Sequence, residues 1–267
     1  MRTAIFTDLD GTLLDRDTYS WAAAAAALDR VRQREIPLII ATSKTLAETV
    51  VVRSQILNDH PFIVENGAAI AVPPRYFGFE APQRLESWNG FELKRFSESR
   101  DLILSLLGEL RRDHGYRFEG FGDWTPQELA ERSGLPVEDA ERALERCGSE
   151  PLVWLDTDEN LGRFRQRLAR NGLRLVQGGR FLHVMGDFDK AKAFAWLKSM
   201  LKPETTVALG DSPNDEAMLD QADIAVVVRS PHSDSIRLTQ PQRIIKTKNT
   251  GPAGWQEALE ALLPELP

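Results

Sequence analysis

Two stretches of the chain alternate short apolar runs with helical patterns, and this alternation restricts the fold more than any other feature. Near the start, apolar runs lie at residues 4–6, 37–41 and 62–64, with helical patterns at 21–34 and 45–57. After residue 189 the alternation returns, with runs at 206–209, 224–228 and 243–246 and helical patterns at 190–201, 216–221 and 254–263. Apolar strands separated by helices are typical of a parallel sheet with helices on both faces. We therefore expect an α/β fold with a Rossmann-like parallel-sheet core.

The segment between these stretches has a different pattern. Helical patterns near 98–113, 126–133, 136–147 and 158–171 occur together with short strands near 117–121, 152–155, 173–177 and 181–185. Helices and strands without strict alternation are typical of an α+β unit. The sequence thus predicts a discontinuous core of residues 1–82 and 188–267, interrupted by an inserted α+β domain over residues 83–187.

The charge balance and the single cysteine exclude several classes of protein. The chain has 267 residues and a formal net charge of −7, so it has no overall positive field to bind nucleic acid or an anionic membrane. The small apolar run at 21–28 is much shorter than the ~20 residues of a membrane span. Acidic residues stand where a secretion signal needs an apolar run, and Cys147 has no partner for a disulfide. We expect a cytoplasmic protein, monomeric or weakly homodimeric.

Polar clusters follow three of the apolar runs, at residues 8–12, 42–44 and 210–215. In an open α/β sheet, ligands bind outside the carboxyl ends of the strands. We therefore expect these clusters to form one site.

Asp8 and Asp10 are the first candidates for chemistry. One carboxylate can attack as a nucleophile while the other moves a proton. The alternative is a solvated acidic loop that turns at Gly11, and the Asp-x-Asp pattern does not decide between the two. In the third cluster, Asp211 and Asp215 could join Asp8 in binding Mg²⁺, which prefers oxygen ligands. The alternative there is a helix N-cap, and both roles can hold together.

The remaining candidates are cations and hydroxyls. Thr42, Ser43 and Lys44 offer hydroxyl groups and a positive charge that suit phosphate oxygens, although, taken alone, these residues favour a plain helix N-cap. Lys190 lies at a helix start, where a lysine is slightly unfavourable, so its position suggests a partner such as a phosphoryl group. Without the other clusters, Lys190 would be taken for a surface lysine.

These four elements, in this order, resemble the motifs of the haloacid dehalogenase-type phosphatase superfamily. Residues 8–12 match its first motif, Thr42-Ser43 its second, Lys190 its third and residues 210–215 its fourth. The insert 83–187 resembles the type C2B cap of the Cof-like branch.

A narrower resemblance is to the mannosyl-3-phosphoglycerate phosphatase family. It rests on stretches of both the core and the insert, at 15–20, 43–48, 61–68, 177–183 and 251–255. Most of the Cof-like branch carries Thr-Gly-Arg at the second motif, whereas Thr42-Ser43-Lys44 agrees with the narrower family.

The resemblance implies a role for each motif residue. Asp8 attacks phosphorus and becomes an aspartyl phosphate, while Asp10 protonates the leaving alcohol and then activates water. Phosphoryl oxygens are held by Lys190 and by Thr42 or Ser43. The implied Mg²⁺ ligands are Asp8, the backbone carbonyl of Asp10, Asp211 and Asp215, with Asn214 orienting the site.

Substrate choice is expected to depend largely on the insert. Arg180 could bind a substrate carboxylate through two hydrogen bonds, and the flanking glycines allow close approach of the backbone. The candidate substrate-binding residues are Lys44, Glu65, Asn66, Gln177, Gly178, Gly179, Arg180, His183 and Asn214. His183 could instead belong to a hairpin strand with one exposed face, and Glu65-Asn66 could simply form a turn.

Together these features predict a Mg²⁺-dependent phosphatase that converts mannosyl-3-phosphoglycerate to mannosylglycerate and phosphate. The alternatives are a phosphatase for glucosyl-3-phosphoglycerate or another small sugar phosphate, a phosphotransferase, and a sensor that binds a sugar phosphate without turnover. The intact pair of Asp8 and Asp10 argues against a sensor, since binding alone does not need Asp10.

Overall fold

The computed structural model describes residues 2–78, 85–177 and 181–266. Its strands are β1 (Thr3–Thr7), β2 (Leu38–Ala41), β3 (Phe62–Val64), β4 (Ala69–Val72), β5 (Glu86–Trp88), β6 (Phe91–Arg95), β7 (Phe118–Gly120), β8 (Ser149–Trp154), β9 (Leu173–Gln177), β10 (Leu182–Gly186), β11 (Thr205–Gly210), β12 (Ile224–Arg229) and β13 (Arg243–Thr250). Its α-helices are α1 (Ala25–Gln33), α2 (Leu46–Gln55), α3 (Arg100–His114), α4 (Pro126–Ser133), α5 (Val137–Leu144), α6 (Asp158–Arg170), α7 (Lys190–Leu201), α8 (Glu216–Gln221) and α9 (Gly251–Leu262).

The larger sheet has nine strands in the order β13-β12-β11-β1-β2-β3-β4-β6-β5. The strands from β13 to β3 are parallel, and β4, β6 and β5 continue the sheet in antiparallel pairs. Strand β1 lies near the centre and is buried along its whole length. Its alternate side chains point to opposite faces: Ile5 packs in one apolar cluster with Trp255, and Phe6 packs in another with Phe194. This arrangement confirms the predicted α/β core with helices on both faces.

The smaller sheet has four antiparallel strands in the order β7-β8-β10-β9. Its apolar cluster combines Leu107 of α3 and Phe164 of α6 with Leu152 and Val184 of the strands. The insert therefore has a core of its own, separate from the clusters of the larger sheet. This confirms the predicted α+β character of the inserted segment.

Strands β5 and β6 lie within the predicted insert, residues 83–187, but are hydrogen-bonded to the larger sheet through β4. We therefore propose that the insert begins after β6, near residue 97, rather than at residue 83. The three antiparallel strands were not expected from the sequence. The residues of β5 and β6 are mostly exposed or only partly buried, so these two strands contain no continuous apolar run.

Within the described residues, no helix combines the length and the apolar character needed to cross a membrane.

Candidate active site

The site lies at the carboxyl ends of β1 and β11, which are parallel neighbours. Thr7 is paired with Leu209, so the residues that follow the two strands lie side by side. The backbone N–H of Asp8 donates to the carbonyl of Leu209 at 2.9 Å. One carboxylate oxygen from each of Asp8, Asp211 and Asp215 lies within 4.8 Å of the others. The structure thus brings together three of the predicted metal ligands, from segments about 200 residues apart in sequence.

Two glycines allow the carboxylates to come this close. A Cβ on Gly11, whose φ is +85°, would lie 2.8 Å from Oδ2 of Asp211. A Cβ on Gly210 would lie 2.5 Å from the Cβ of Asp215. Neither position has room for a side chain, so both glycines are required by the packing of the acidic cluster.

Lys190 supplies the positive charge of the cluster. It is the first residue of α7, and Asp189 caps that helix by accepting from the backbone N–H of Lys192 at 2.8 Å. The buried Nζ of Lys190 donates to Oδ1 of Asp8 at 2.6 Å and to Oδ1 of Asp215 at 2.7 Å. Burial lowers the pKa of Lys190, but Asp215 and Asp8 outweigh burial and the pKa is raised. The lysine is therefore an ammonium ion, and the surface-lysine alternative is wrong.

The cluster contains three carboxyl groups, those of Asp8, Asp211 and Asp215, but only one ammonium group. Burial raises the pKa of Asp8 well above its usual range, with Lys190 opposing the shift and Asp215 and Asp211 adding to it. Burial, followed by the charge of Asp215, raises the pKa of Asp211 to about 6. Clustered acidic oxygens that repel one another suit a divalent cation with oxygen ligands. The residues present therefore fit Mg²⁺.

Asp215 belongs to the acidic cluster and also takes part in capping the turn before α8. Its Oδ2 accepts from the backbone N–H groups of Asp211 at 3.1 Å and of Ser212 at 3.2 Å, which caps the turn before α8. Its other oxygen accepts from Lys190. The cap therefore fixes the carboxylate that faces the acidic cluster.

Asp10 lies beside Lys44 rather than in the cluster of three carboxylates. Nζ of Lys44 is 3.0 Å from Oδ2 of Asp10 and 3.8 Å from Glu48. Burial lowers the pKa of Lys44, but Asp10 and Glu48 outweigh it and the pKa is raised. Oδ1 of Asp10 is buried and has no hydrogen-bond partner among the described residues. This carboxylate oxygen is therefore not engaged by any described group of the protein.

The second motif forms the start of α2 and also faces the site. The Oγ1 of Thr42 accepts from the backbone N–H of Lys44 at 3.1 Å, and Thr45 and Glu48 form a capping box. The backbone N–H of Asn66 donates to the carbonyl of Thr42 at 2.9 Å. The N-cap is thus Thr45, one residue beyond the predicted cluster, so the N-cap alternative does not apply to Thr42, Ser43 or Lys44.

Residues 65–67 form a turn against the start of α7. The backbones of Glu65, Asn66 and Gly67 have positive φ values of 48°, 56° and 99°. A Cβ on Gly67 would lie 2.1 Å from the carbonyl oxygen of Asp189, so only glycine fits there. Nδ2 of Asn214 donates to Oδ1 of Asn66 at 3.1 Å. The turn thus connects the second, third and fourth motifs.

Glu65 has partners other than the predicted sugar hydroxyls. Its side chain is fully buried, and its oxygens accept from the backbone N–H groups of Cys147 at 2.6 Å and of Gly148 at 3.2 Å. The hydroxyl of Ser149 donates to the same carboxylate at 2.6 Å. The expected sugar contact is corrected accordingly: Glu65 joins the core to the insert.

Arg146 was missed by the sequence analysis. Its side chain is 4% exposed, its Nη2 donates to the carbonyl of Ser43 at 3.1 Å, and its Nε donates to Ser149 at 3.0 Å. No sequence signal indicated this role, because Arg146 stands at the end of a helical pattern and belongs to no motif. It places a positive charge from the insert next to the second motif.

The predicted ligands on the insert are placed only in part. His183 lies on β10, and its Nδ1 is buried without a hydrogen-bond partner in the described parts of the chain. Burial, together with the charge of Arg146, lowers the pKa of His183 to about 3, so the imidazole is neutral. Gln177 ends β9, while Gly178, Gly179 and Arg180 lie outside the described residues.

A tryptophan from the C-terminal helix contacts the first motif. Nε1 of the fully buried Trp255 donates to Oγ1 of Thr7 at 3.1 Å. Oγ1 of Thr7 in turn donates to the carbonyl of Asp8 at 2.8 Å. Trp255 therefore helps to hold the backbone of the candidate nucleophile, a role that the sequence analysis did not assign.

Family models and solved structures agree on the class of protein. Residues 5–88 match a family model described as haloacid dehalogenase-like hydrolase, and residues 158–262 match one described as sucrose-6F-phosphate phosphohydrolase. The fold is similar to that of the phosphatase BT1666 of the haloalkanoate superfamily from Bacteroides thetaiotaomicron, with a TM-score of 0.65 and 19% identity, over 99% of this chain and 95% of that one. It is also similar to the subclass IIB sugar phosphatase BT4131, with a TM-score of 0.63 and 16% identity, over 99% of each chain. Fold and site together define a phosphoric monoester hydrolase.

Two curated relatives narrow the family. A glucosyl-3-phosphoglycerate/mannosyl-3-phosphoglycerate phosphatase from Methanococcoides burtonii is 39% identical over 98% of both chains. A protein of the same name from Persephonella marina is 34% identical over 98% of this chain and 97% of its own. The chain belongs to the Cof-type haloacid dehalogenase-like phosphatases, together with these relatives, which confirms the resemblance inferred from the motifs.

Proposed function

We propose that this chain hydrolyses a sugar-3-phosphoglycerate, and specifically converts mannosyl-3-phosphoglycerate to mannosylglycerate and phosphate. The observation that carries the proposal is the buried cluster in which the candidate nucleophile Asp8 contacts Lys190 beside Asp211 and Asp215. The substrate class comes from the two curated relatives, which are named for this reaction. Because both relatives are named for two sugars, glucosyl-3-phosphoglycerate is the second candidate substrate.

Asp8 and Asp10 divide the chemistry between them. A carboxylate oxygen of Asp8 forms a bond to phosphorus, the bond from phosphorus to the alcohol oxygen breaks, and Asp10 gives its proton to that oxygen. Asp10 then takes a proton from water, whose oxygen attacks phosphorus and releases phosphate and the Asp8 carboxylate. The unpartnered Oδ1 of Asp10 supports this assignment.

Other residues hold the phosphoryl group and offset its charge. The ammonium of Lys190 and the hydroxyl of Thr42 or Ser43 are proposed to bind its oxygens, which is the main requirement of phosphoryl transfer. Asp8, Asp211, Asp215 and the backbone carbonyl of Asp10 would hold Mg²⁺. When bound, the ion supplies positive charge that stabilises the phosphoryl oxygens in the transition state.

The part of the substrate beyond the phosphate would meet the insert and the turn at residues 65–67. Asn66 and Asn214 border the core side, and Gln177 and His183 belong to the insert. Arg180 remains the proposed ligand of the glycerate carboxylate, because a guanidinium binds a carboxylate through two parallel hydrogen bonds.

A panel of phosphate esters tests the proposal. Purified protein with Mg²⁺ is assayed for phosphate release from mannosyl- and glucosyl-3-phosphoglycerate, sucrose phosphate and simple hexose phosphates, with Asp8→Asn as the inactive control. We expect the highest kcat/KM for a sugar-3-phosphoglycerate. A preference for hexose phosphates would refute the substrate, and full activity of Asp8→Asn would refute the covalent mechanism.

A further inference from the structure

Tyr19 lies at the edge of the site on the first loop after β1. Nζ of Lys44 lies 4.7 Å from the centroid of its ring. The residue is nevertheless 40% exposed, which makes it one of the few large apolar side chains open to solvent. No motif assigns it a function.

The loop holds this ring in an unusual backbone conformation. The φ of Tyr19 is +55°, a value that favours glycine or asparagine over an aromatic residue. Oδ1 of Asp15 accepts from the backbone N–H of Asp17 and from both the N–H and the hydroxyl of Thr18. Backbone hydrogen bonds join Asp15 to Tyr19 and to Ser20. These local hydrogen bonds hold the loop in the conformation that exposes the ring beside Lys44.

The position of the ring follows from its neighbours. In the proposed reaction, Asp10 protonates the oxygen of the leaving alcohol, so the rest of that alcohol extends away from phosphorus beside Asp10. Nζ of Lys44 lies 3.0 Å from Oδ2 of Asp10 and 4.7 Å from the centroid of the Tyr19 ring, so one ammonium contacts both side chains. Tyr19 therefore borders the space into which the leaving alcohol extends.

We propose that Tyr19 is a specificity-determining residue whose ring packs against the C–H groups of the sugar in the leaving alcohol. An aromatic ring with a polar hydroxyl suits a sugar, which presents C–H groups and hydroxyls together. The contact gives the enzyme a preference for a phosphoglycerate that carries a sugar over one that does not. This inference rests on the proposed function.

The test compares two substrates that differ only in the sugar, mannosyl-3-phosphoglycerate and 3-phosphoglycerate. Tyr19→Asn removes the ring but tolerates the positive φ, and Tyr19→Phe keeps the ring. Leu57→Asn is the matched control, because Leu57 has a φ of +53° and is 66% exposed. Leu57 follows the C-terminal end of α2, whereas Lys44 precedes the N-terminal end of that helix. Thermal unfolding of each variant checks that it folds.

We expect Tyr19→Asn to lower the ratio of kcat/KM for the two substrates about tenfold, as the loss of an aromatic contact would. Tyr19→Phe and Leu57→Asn should keep the wild-type ratio. An unchanged ratio in Tyr19→Asn overturns the inference, as does an equal loss in Tyr19→Phe, which would assign the effect to the hydroxyl. If wild-type protein releases no phosphate from the mannosyl substrate, the proposed function itself fails, and that result is separate from any effect of Tyr19.

Discussion

Lys190 and Lys192 offer a matched pair for testing the charge balance of the site. Both belong to the first turn of α7, but the side chain of Lys190 is fully buried between Asp8 and Asp215, whereas that of Lys192 is 50% exposed. Lys190→Met leaves two buried carboxylates without their cation, and breaking a buried pair costs about 3–5 kcal/mol. Lys192→Met removes an exposed ion pair, worth about 0–1 kcal/mol.

Urea unfolding at pH 8 with EDTA measures both costs. The folded-state pKa values of Asp8 and Asp211 are raised, so the folded protein binds more protons than the unfolded chain as the pH falls through about 6. These protons neutralise the carboxylates and relieve the repulsion between them. The deficit of Lys190→Met should therefore be smaller at pH 5 than at pH 8. A deficit that is the same at both pH values would refute the role of carboxylate repulsion.

The same pair separates catalysis from stability. Removing a preorganised positive charge costs about 10²–10³ in kcat. We therefore expect Lys190→Met to lose at least about a hundredfold in kcat, while Lys192→Met stays within about twofold of wild type. Assays run well below the unfolding midpoint of each variant exclude partial unfolding as the cause. Equal losses in the two variants would refute a specific contact between Lys190 and the phosphoryl group.

The remaining predictions concern other parts of the site. Since the folded-state pKa of His183 is about 3 against about 6.5 unfolded, its contribution to stability is complete above pH 6.5 and falls by about 1.4 kcal/mol per pH unit toward pH 3. The wild-type protein should therefore lose about 2 kcal/mol more stability between pH 7.5 and pH 5 than His183→Gln does. His114→Gln, at an exposed histidine, is the control, and an unchanged loss in His183→Gln would contradict a buried neutral imidazole at position 183. Glu65→Gln should make the buried Cys147 react at least about tenfold faster with a thiol reagent, because each charge-assisted hydrogen bond from the backbone N–H groups of Cys147 and Gly148 contributes about 1.5–3 kcal/mol. An unchanged rate would mean that other contacts hold this segment. Calorimetric titration should show that inorganic phosphate binds in the presence of Mg²⁺ but not in EDTA, and equal binding in EDTA would count against the cation site. Asp211→Asn should raise the Mg²⁺ concentration needed for phosphate binding about tenfold, as the loss of one ligand would.

The centre of the site could be predicted because it depends on local sequence and one general rule of topology. Each acidic motif follows an apolar run, and the carboxyl ends of parallel strands share one edge of a sheet. Asp8 and Asp211 therefore had to lie at the same edge, and the pairing of β1 with β11 brings them together. The order of the strands was not available from the sequence, but the prediction did not require it.

The contacts between core and insert could not be predicted, because they join segments that are distant in sequence and carry no periodic signal. Glu65 is separated from Ser149 by 84 positions, and its partners on that side are mostly backbone N–H groups, which leave no trace in residue identity. Arg146 reaches the carbonyl of Ser43 in the same way. Glu65 was expected to contact the substrate or to form a turn, and its buried side chain shows instead that it contacts the insert.

The charges of the cluster explain how an acidic chain can bind an anionic ester. When all three are ionised, the carboxylates of Asp8, Asp211 and Asp215 exceed the single ammonium of Lys190 by two negative charges in a buried space. A phosphate dianion would be repelled from that space, since burial weakens the screening of like charges. A divalent cation held by these carboxylates would balance their charge, and the ammonium of Lys190 could then bind the dianion. We therefore expect the binding of a phosphate ester at this site to depend on a divalent cation, whose charge would also stabilise the transition state.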